Sequence, residues 1–207
     1  MQEEMEKFLG AVESRIPEPY LGSFSYVAKF FKVLTAESDR GMILAGAAFI
    51  DNALSRLIEA YLVELPNSKS QKNFFSFEGP LGTFSNRINM AFALGLIDLA
   101  TRRDIKIIKD LRNKCAHLAD EILIASDSIS QPISELTCLQ EFTEVLESKE
   151  PFKNLGLSDR VSGAKSRLLL NIGLVLVLIH IKTRELTRLT QCEHHVERWK
   201  AELEKKD

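Results

Sequence analysis

Apolar residues recur at intervals of three and four positions along almost the whole chain, and alternation with a period of two is hardly seen. Such spacing gathers apolar side chains on one face of an α-helix, whereas a half-buried strand requires alternation. Ten glycines and six prolines in 207 residues are also too few for a turn-rich β-sandwich or a disordered chain. The sequence therefore predicts an all-α fold: one multi-helix bundle covering residues 1–207, with a long C-terminal helical segment and with residues 1–20 and 190–207 at its periphery.

Charge and cysteine content narrow the class of protein. The formal net charge of −2 excludes the overall basicity of a protein that binds nucleic acid over its whole surface, so any phosphate contact must be regional. Cys115, Cys138 and Cys192 form no Cys-x-x-Cys pair, so neither a disulfide framework nor a zinc site is indicated. No metal and no other cofactor is predicted. Because Met1–Lys7 is acidic and lacks a secretory pattern, a cytoplasmic location is expected.

The most apolar run is Leu168–Ile181. Its fourteen residues include Asn171 and His180, and a helix needs about 20 residues to span the hydrocarbon of a membrane. We therefore expect a helix that is buried on all sides within the bundle. His180, near the end of the run, is expected to be hydrogen-bonded in the core or at its rim.

Capping and turn residues divide the apolar pattern into segments. Ser38-Asp39 is expected to cap a helix, and Gly79-Pro80 to begin one, since proline suits the first helical turn. Gly95 and Asp98 should turn a tight helical hairpin. Residues 17–20 are expected to be extended, because a residue that precedes proline is disfavoured in a helix. The expected helices span approximately residues 2–14, 23–35, 42–65, 80–96, 99–118, 132–147 and 158 to near the C-terminus, with loops at 67–77 and 119–131.

The helix that begins at Leu99 carries the most informative pattern. At about 100° per residue, one face of it is almost entirely apolar and must face the core. That face holds Asp104, Ile107, Ile108, Leu111, Cys115 and Leu118. The remaining arc is basic and polar, loses bulk at Ala116, and can receive a partner helix or a phosphate chain. It holds Arg102, Lys106, Lys109, Arg112, Asn113 and His117.

Arg112, Asn113 and His117 have the chemistry to cleave RNA without a metal. A histidine can move a proton to or from a ribose hydroxyl, an arginine can stabilise charge growing on phosphate, and an amide can orient either group. Asn113 and His117 are adjacent on the helix, but Arg112 lies about 140° from His117. Catalysis would therefore require two copies of the chain, joined across a twofold interface.

The spacing Arg112-Asn113-x-x-x-His117 resembles the signature of the HEPN superfamily of small all-α domains. The resemblance implies an HEPN-like bundle that dimerises through this helix. For an RNase of that superfamily it implies that His117 is the acid or base, that Arg112 stabilises charge and that Asn113 orients. Other members are inactive binders, so the same three residues also fit a dimer interface or a brace at the end of the helix.

A longer stretch resembles the mannitol operon repressor (MtlR) family. The matching segments are Gly79–Ile88, Ala91–Ile97 and, upstream, Ala48–Leu54, and the resemblance covers about Met42–Leu118. It implies a helical fold and a role as a transcriptional regulator. Neither the family nor this chain offers an obvious helix-turn-helix, so contact with another protein or with RNA is expected in place of sequence-specific DNA reading.

These observations favour a cytoplasmic regulatory protein, a homodimer with a protein partner and without an enzymatic step. One alternative is a metal-independent, toxin-like RNase with a composite site at the dimer interface, and another is a helical scaffold whose polar motif only fastens the dimer. Asp51 interrupts an apolar helix, where a carboxylate is costly unless it is paired. Arg87 or Arg112 is its expected partner, so Asp51 and Arg87 are interpreted as structural.

Overall fold

The computed structural model describes residues 2–62, 68–117, 122–148 and 162–203, together with 150 and 153. In these residues the chain forms helices and no strands, which confirms the all-α prediction. The expected long C-terminal segment is one helix of 40 residues. In chain order the helices are α1 (Gln2–Glu13), α2 (Glu18–Ala36), α3 (Asp39–Tyr61), α4 (Ser68–Phe75), α5 (Phe84–Ala93), α6 (Leu99–His117), α7 (Asp127–Ser134), α8 (Cys138–Glu147) and α9 (Ala164–Leu203).

The first half of α9 lies at the centre of the bundle. Residues Leu168–Leu176 are all buried, and they pack mainly against α3 and α2. On its other side α3 packs against α5 and α6. One contiguous hydrophobic cluster results, and it extends from Phe8 in α1 to Ile179 in α9, so the N-terminal segment expected at the periphery contributes a core side chain.

Among the described residues two helical segments, α3 and the Ala164–Thr187 part of α9, are long and apolar enough to cross a membrane by length and composition. The sequence argument from length was therefore wrong, because the apolar helix around Leu168–Ile181 extends over 24 residues. Core helices of water-soluble proteins have the same length and composition. The expected burial of this helix within the bundle is observed for Leu168–Leu176.

Several helix boundaries follow the capping residues. Ser38 caps α3, since its hydroxyl accepts a hydrogen bond from the N–H of Gly41 at 3.1 Å. The hairpin between α5 and α6 turns at Gly95, which has φ = 67°, and the Asp98 carboxylate accepts from the N–H of Thr101 at 2.7 Å. Both sites agree with the sequence expectation.

Other boundaries differ from the expectation. Helix α2 begins at Glu18, because Pro19 fits the first turn, where its missing N–H is not needed. Residues 68–75 form helix α4 where a loop was expected. Helix α5 begins at Phe84 and not at Pro80, because the Thr83 hydroxyl caps it by accepting from the N–H of Asn86 at 3.1 Å. Expectations for residues 63–67, 118–121 and 158–161 lie outside the described residues.

In place of the expected loop at 119–131 and single helix at 132–147, the chain forms α7 from Asp127 to Ser134 and α8 from Cys138. The second helix starts anew because Asp104 of α6 caps it. The Asp104 carboxylate is fully buried and accepts hydrogen bonds from the N–H groups of Thr137, at 3.0 Å, and Cys138, at 2.9 Å. These groups begin α8, where the helix dipole favours a negative charge. The amide of Asn171 in α9 donates to the same carboxylate at 2.7 Å. One side chain thus joins α6, α8 and α9.

The thiol of Cys138 reflects this environment. Burial, together with the negative charge of Asp104, raises the pKa of Cys138 to about 12. The thiol therefore remains protonated at neutral pH, and it behaves as a small buried apolar group.

We expect Asp104→Ala to lower the free energy of unfolding by about 3 kcal/mol, because it leaves two N–H groups and one amide buried without an acceptor. Urea denaturation monitored by circular dichroism measures the change. Asp110→Ala is the matched control: this aspartate lies on the same helix, is exposed, and contacts Lys109 at 3.0 Å. It should change stability by less than about 0.5 kcal/mol. Equal effects of the two substitutions would contradict the role given to Asp104.

His180 lies at the rim of the core between α2, α3 and α9. Its ring stacks on Tyr26, with centroids 4.3 Å apart, and the Tyr26 hydroxyl accepts a hydrogen bond from Arg56 at 3.3 Å. Nδ1 of His180 is buried without a hydrogen-bond partner among the described residues, which differs from the expectation that this histidine is hydrogen-bonded. Burial, with the charges of Arg184 and Arg56, lowers the pKa of His180.

Folding stability should therefore fall on acidification. The unfolded chain, in which His180 has its ordinary pKa of 6.5, binds the proton more tightly than the folded chain does. The loss begins as the pH falls through about 6.5 and is complete below the folded pKa. His180→Phe, which keeps a ring against Tyr26, should flatten the dependence of the melting temperature on pH between about 7 and 5. Parallel curves for the wild type and the variant would refute this assignment.

Candidate interaction surface on α6

Helix α6 has one buried face, and its opposite face ranges from half-buried to exposed. Its buried side chains are Thr101, Asp104, Ile105, Ile108, Leu111 and Cys115. Four of these six belong to the face that the sequence predicted. Ile107 is only half-buried, Thr101 and Ile105 are buried in addition, and Leu118 lies outside the described residues. The buried face is thus rotated slightly from the predicted one, toward Ile105.

The other side is referred to below as the basic face of α6. It comprises Arg102, Lys106, Lys109, Arg112, Asn113, Ala116 and His117. The helix as a whole contains six lysines and arginines and two aspartates, in a chain whose net charge is −2. One of the two aspartates, Asp104, is buried and caps α8. Positive charge is therefore concentrated on this helix, as the sequence indicated for a regional site.

In the first half of the basic face the side chains are held by neighbours. The guanidinium of Arg102 lies 4.6 Å from the centre of the Phe92 ring and donates to the side-chain oxygen of Asn89 at 3.2 Å. Nε of Arg102 is buried without a hydrogen-bond partner among the described residues. Arg102 therefore fixes α6 against α5. Lys109 contacts Asp110 at 3.0 Å, and Lys106 is half-buried.

The second half of the basic face is open. Arg112, Ala116 and His117 are exposed and Asn113 is half-buried. Ile105 and Arg112 are seven residues apart and point in nearly the same direction, yet Ile105 is 0% exposed. The packing that covers this side of α6 thus ends before Arg112. The surface beside the small side chain of Ala116 is therefore open.

Arg112, Asn113 and His117 lie on one continuous helix, and His117 is the last of its described residues. Arg112 donates to the side-chain oxygen of Asn113 at 3.0 Å. Helix geometry places Arg112 about 140° from His117, so a single chain does not direct the two side chains toward one point. The sequence expected a carboxylate as a structural partner for Arg112, whereas the hydrogen bond observed here goes to an amide.

Arg87 and Asp51 form the structural pair that the sequence expected. Nε and Nη2 of Arg87 donate to the two carboxylate oxygens of Asp51 at 2.6 and 2.8 Å. The third nitrogen, Nη1, donates to the carbonyl of Leu81 at 2.5 Å. A Cβ at Gly79 or Gly82 would overlap backbone carbonyl oxygens of residues 73–77, so both glycines are needed in this turn. Arg87 thus fixes the turn before α5 to α3. All three nitrogens of its guanidinium donate hydrogen bonds within the chain.

The described residues contain no group of three or more histidine, cysteine, aspartate or glutamate side chains that could hold a metal ion. Two functional features were not found from the sequence alone. One is the point between Ile105 and Arg112 at which other helices stop packing against α6, and the other is the capping of α8 by Asp104.

Comparison with known proteins gives matches in sequence. The profile of a family described as MtlR, mannitol repressor, matches residues 32–184. The mannitol operon repressors of two strains of Escherichia coli are each 32% identical to this chain over 62 residues. That alignment covers 30% of this chain and 32% of each repressor, so it spans about a third of the length of these curated relatives.

Two solved structures have a similar fold. The MtlR–HPr complex from Escherichia coli matches with a TM-score of 0.55 and 19% identity, covering 77% of this chain and 99% of that one. A possible transcriptional regulator, YggD, from Shigella flexneri matches with a TM-score of 0.51 and 14% identity, covering 74% and 96%. At these identities the likeness shows the fold alone.

Proposed function

Because the chain belongs to the mannitol repressor family, we propose that it is a transcriptional regulator that acts by binding another protein through the basic face of α6. HPr is the protein bound to MtlR in the Escherichia coli structure. The HPr protein of the same organism as this chain is therefore the first partner to test. The proposal treats residues 1–207 as one domain, located in the cytoplasm. The contiguous core that the described residues form from α1 to α9 supports the single domain.

The observation that carries the proposal is the concentration of positive charge on one helix of a chain that is negative overall, with Arg112 exposed on it. Charge of one sign on one face steers a partner of opposite charge and sets its orientation. The open surface at Arg112, Asn113 and Ala116 also lets the backbone of a partner approach α6 closely, since Ala116 is small and exposed. A partner with an acidic surface fits both features.

We expect the double variant Lys106→Glu/Arg112→Glu to bind HPr at least about tenfold more weakly than the wild type, because two attractive charges become repulsive. Isothermal titration calorimetry or biolayer interferometry measures the affinity, and the wild-type affinity should fall as salt is raised. The matched control is Lys29→Glu/Lys32→Glu. It makes the same change in net charge at two exposed positions of α2, and it should bind within about twofold of the wild type.

Three results would contradict the proposal. Equal loss of binding in the two double variants would show that net charge alone matters. Unchanged binding of Lys106→Glu/Arg112→Glu would place the partner elsewhere. No measurable binding of HPr by the wild type would remove HPr as the partner at this face.

The second candidate function is metal-independent cleavage of RNA, with the HEPN-like residues Arg112, Asn113 and His117 from two copies meeting across a dimer interface. It is supported by the exposure of Arg112 and His117 at the open end of α6. In this alternative His117 is the acid or base, Arg112 stabilises charge on phosphate, and Asn113 orients Arg112 through the 3.0 Å hydrogen bond.

The two functions predict different results in an RNA cleavage assay performed in EDTA. For a regulator without an enzymatic step, we expect the wild type and His117→Ala to show the same background rate. Loss of a general acid or base would instead lower a true cleavage rate by about a hundredfold or more. A His117-dependent activity, accompanied by dimers in light scattering, would overturn the regulatory proposal in favour of the RNase.

A further inference from the structure

A cavity of about 430 Å³ lies between α1, α2, α8 and α9, away from the basic face of α6. Among the described residues that line it, Thr143 and Tyr20 alone carry a polar side-chain atom. The Thr143 hydroxyl already donates to the carbonyl of Leu139 at 2.7 Å. None of these lining side chains carries a charge at neutral pH. The wall is therefore almost entirely hydrocarbon.

Neither filling such a cavity with water nor leaving it empty is energetically favourable. Water needs two to four polar partners to remain in a protein cavity, and this wall does not supply them. A dry void costs free energy in proportion to its volume, because the lining atoms lose their packing contacts. The volume also lies within the range of about 300–1,000 Å³ that is typical of ligand pockets.

The cavity has a closed floor and an open mouth. The floor includes Phe31 and Leu174, which are 6% and 8% exposed. At the mouth stand Tyr20, Phe142 and Leu178, which are 48%, 42% and 38% exposed. An apolar molecule can therefore enter from solvent between three large side chains and become buried against the core. The Tyr20 hydroxyl at the mouth can meet a polar end of that molecule.

The volume of the cavity indicates whether its occupant is a small molecule or a helix of a partner. One turn of an α-helix about 10 Å wide and 5.4 Å long fills roughly 420 Å³. The cavity thus accepts about one turn, whereas recognition of a helix in a groove uses side chains spread over two turns or more. These dimensions favour a small molecule over a helix from a partner or from a second copy.

We propose that this cavity binds one small, uncharged and mainly hydrocarbon molecule, either an alkyl chain or a fused aromatic ring system. The ligand fills the space between the floor at Phe31 and Leu174 and the mouth at Leu178. The site is separate from the basic face of α6, so its occupancy is tested independently of partner binding.

Nile red, an uncharged apolar dye, is the probe for the full-length chain. We expect saturable fluorescence enhancement with one dye per chain, and displacement of the dye by 1-decanol. Leu178→Trp adds bulk at the mouth and should weaken Nile red binding by at least about tenfold. Val33→Trp is the matched control, because Val33 is 45% exposed on α2 and does not line the cavity. It should bind within about twofold of the wild type.

Circular dichroism and thermal melting establish that each variant is folded. If Leu178→Trp does not fold, Phe142→Glu replaces it, since a carboxylate at this exposed position of the mouth reaches water but repels a hydrocarbon chain. Weaker binding by the variant at the mouth, together with wild-type affinity in Val33→Trp, supports the site. The proposal is overturned if the wild type shows no saturable binding, if the mouth variant binds equally well, or if Val33→Trp loses binding to the same extent.

Discussion

The buried carboxylate of Asp104 is the constraint on which the orientation of α6, α8 and α9 depends. Burying a charge is unfavourable unless hydrogen bonds replace the lost water, and here two N–H groups of α8 and the amide of Asn171 do so. The charge is also stabilised by the dipole of α8. Because these donors would lose their acceptor without Asp104, the carboxylate stabilises the packing of the three helices against one another.

The same residue sets which side of α6 faces solvent. Asn113 follows Asp104 by nine residues, which corresponds to half a turn beyond two full turns, so the two side chains lie on opposite sides of the helix. When Asp104 turns toward α8 and α9, the basic face must turn outward. The outward direction of Asn113 and His117 therefore results from a hydrogen-bonding requirement in the core, whereas Arg112 lies only about 80° from Asp104 and is exposed because the packing over α6 ends before it. The apolar cavity lies on the other side of this junction, where α8 and α9 meet α1 and α2.

Local sequence patterns predicted the features that depend on neighbouring residues. The period of the apolar residues predicted α6 and most of its buried face, and Ser38 was expected to be a cap and is one. An acidic residue in an apolar helix predicted that Asp51 would need a partner, which is Arg87. The break between α7 and α8 could not be found in this way, because the group that caps α8 is 33 residues away in the chain. The turn at residues 79–82 likewise depends on a hydrogen bond from Arg87.

By itself the sequence determined that the chain is all-α, that its C-terminal segment is helical over a long stretch, and that α6 has an apolar and a basic side. These properties follow from the spacing of residues within single helices. Only the tertiary structure decided that Asn171 and α8 share the Asp104 carboxylate, that the cover of α6 ends between Ile105 and Arg112, and that four helices enclose a cavity. Each of these depends on how helices distant in the chain pack against one another, and the periodicity of a single helix carries no information about that packing.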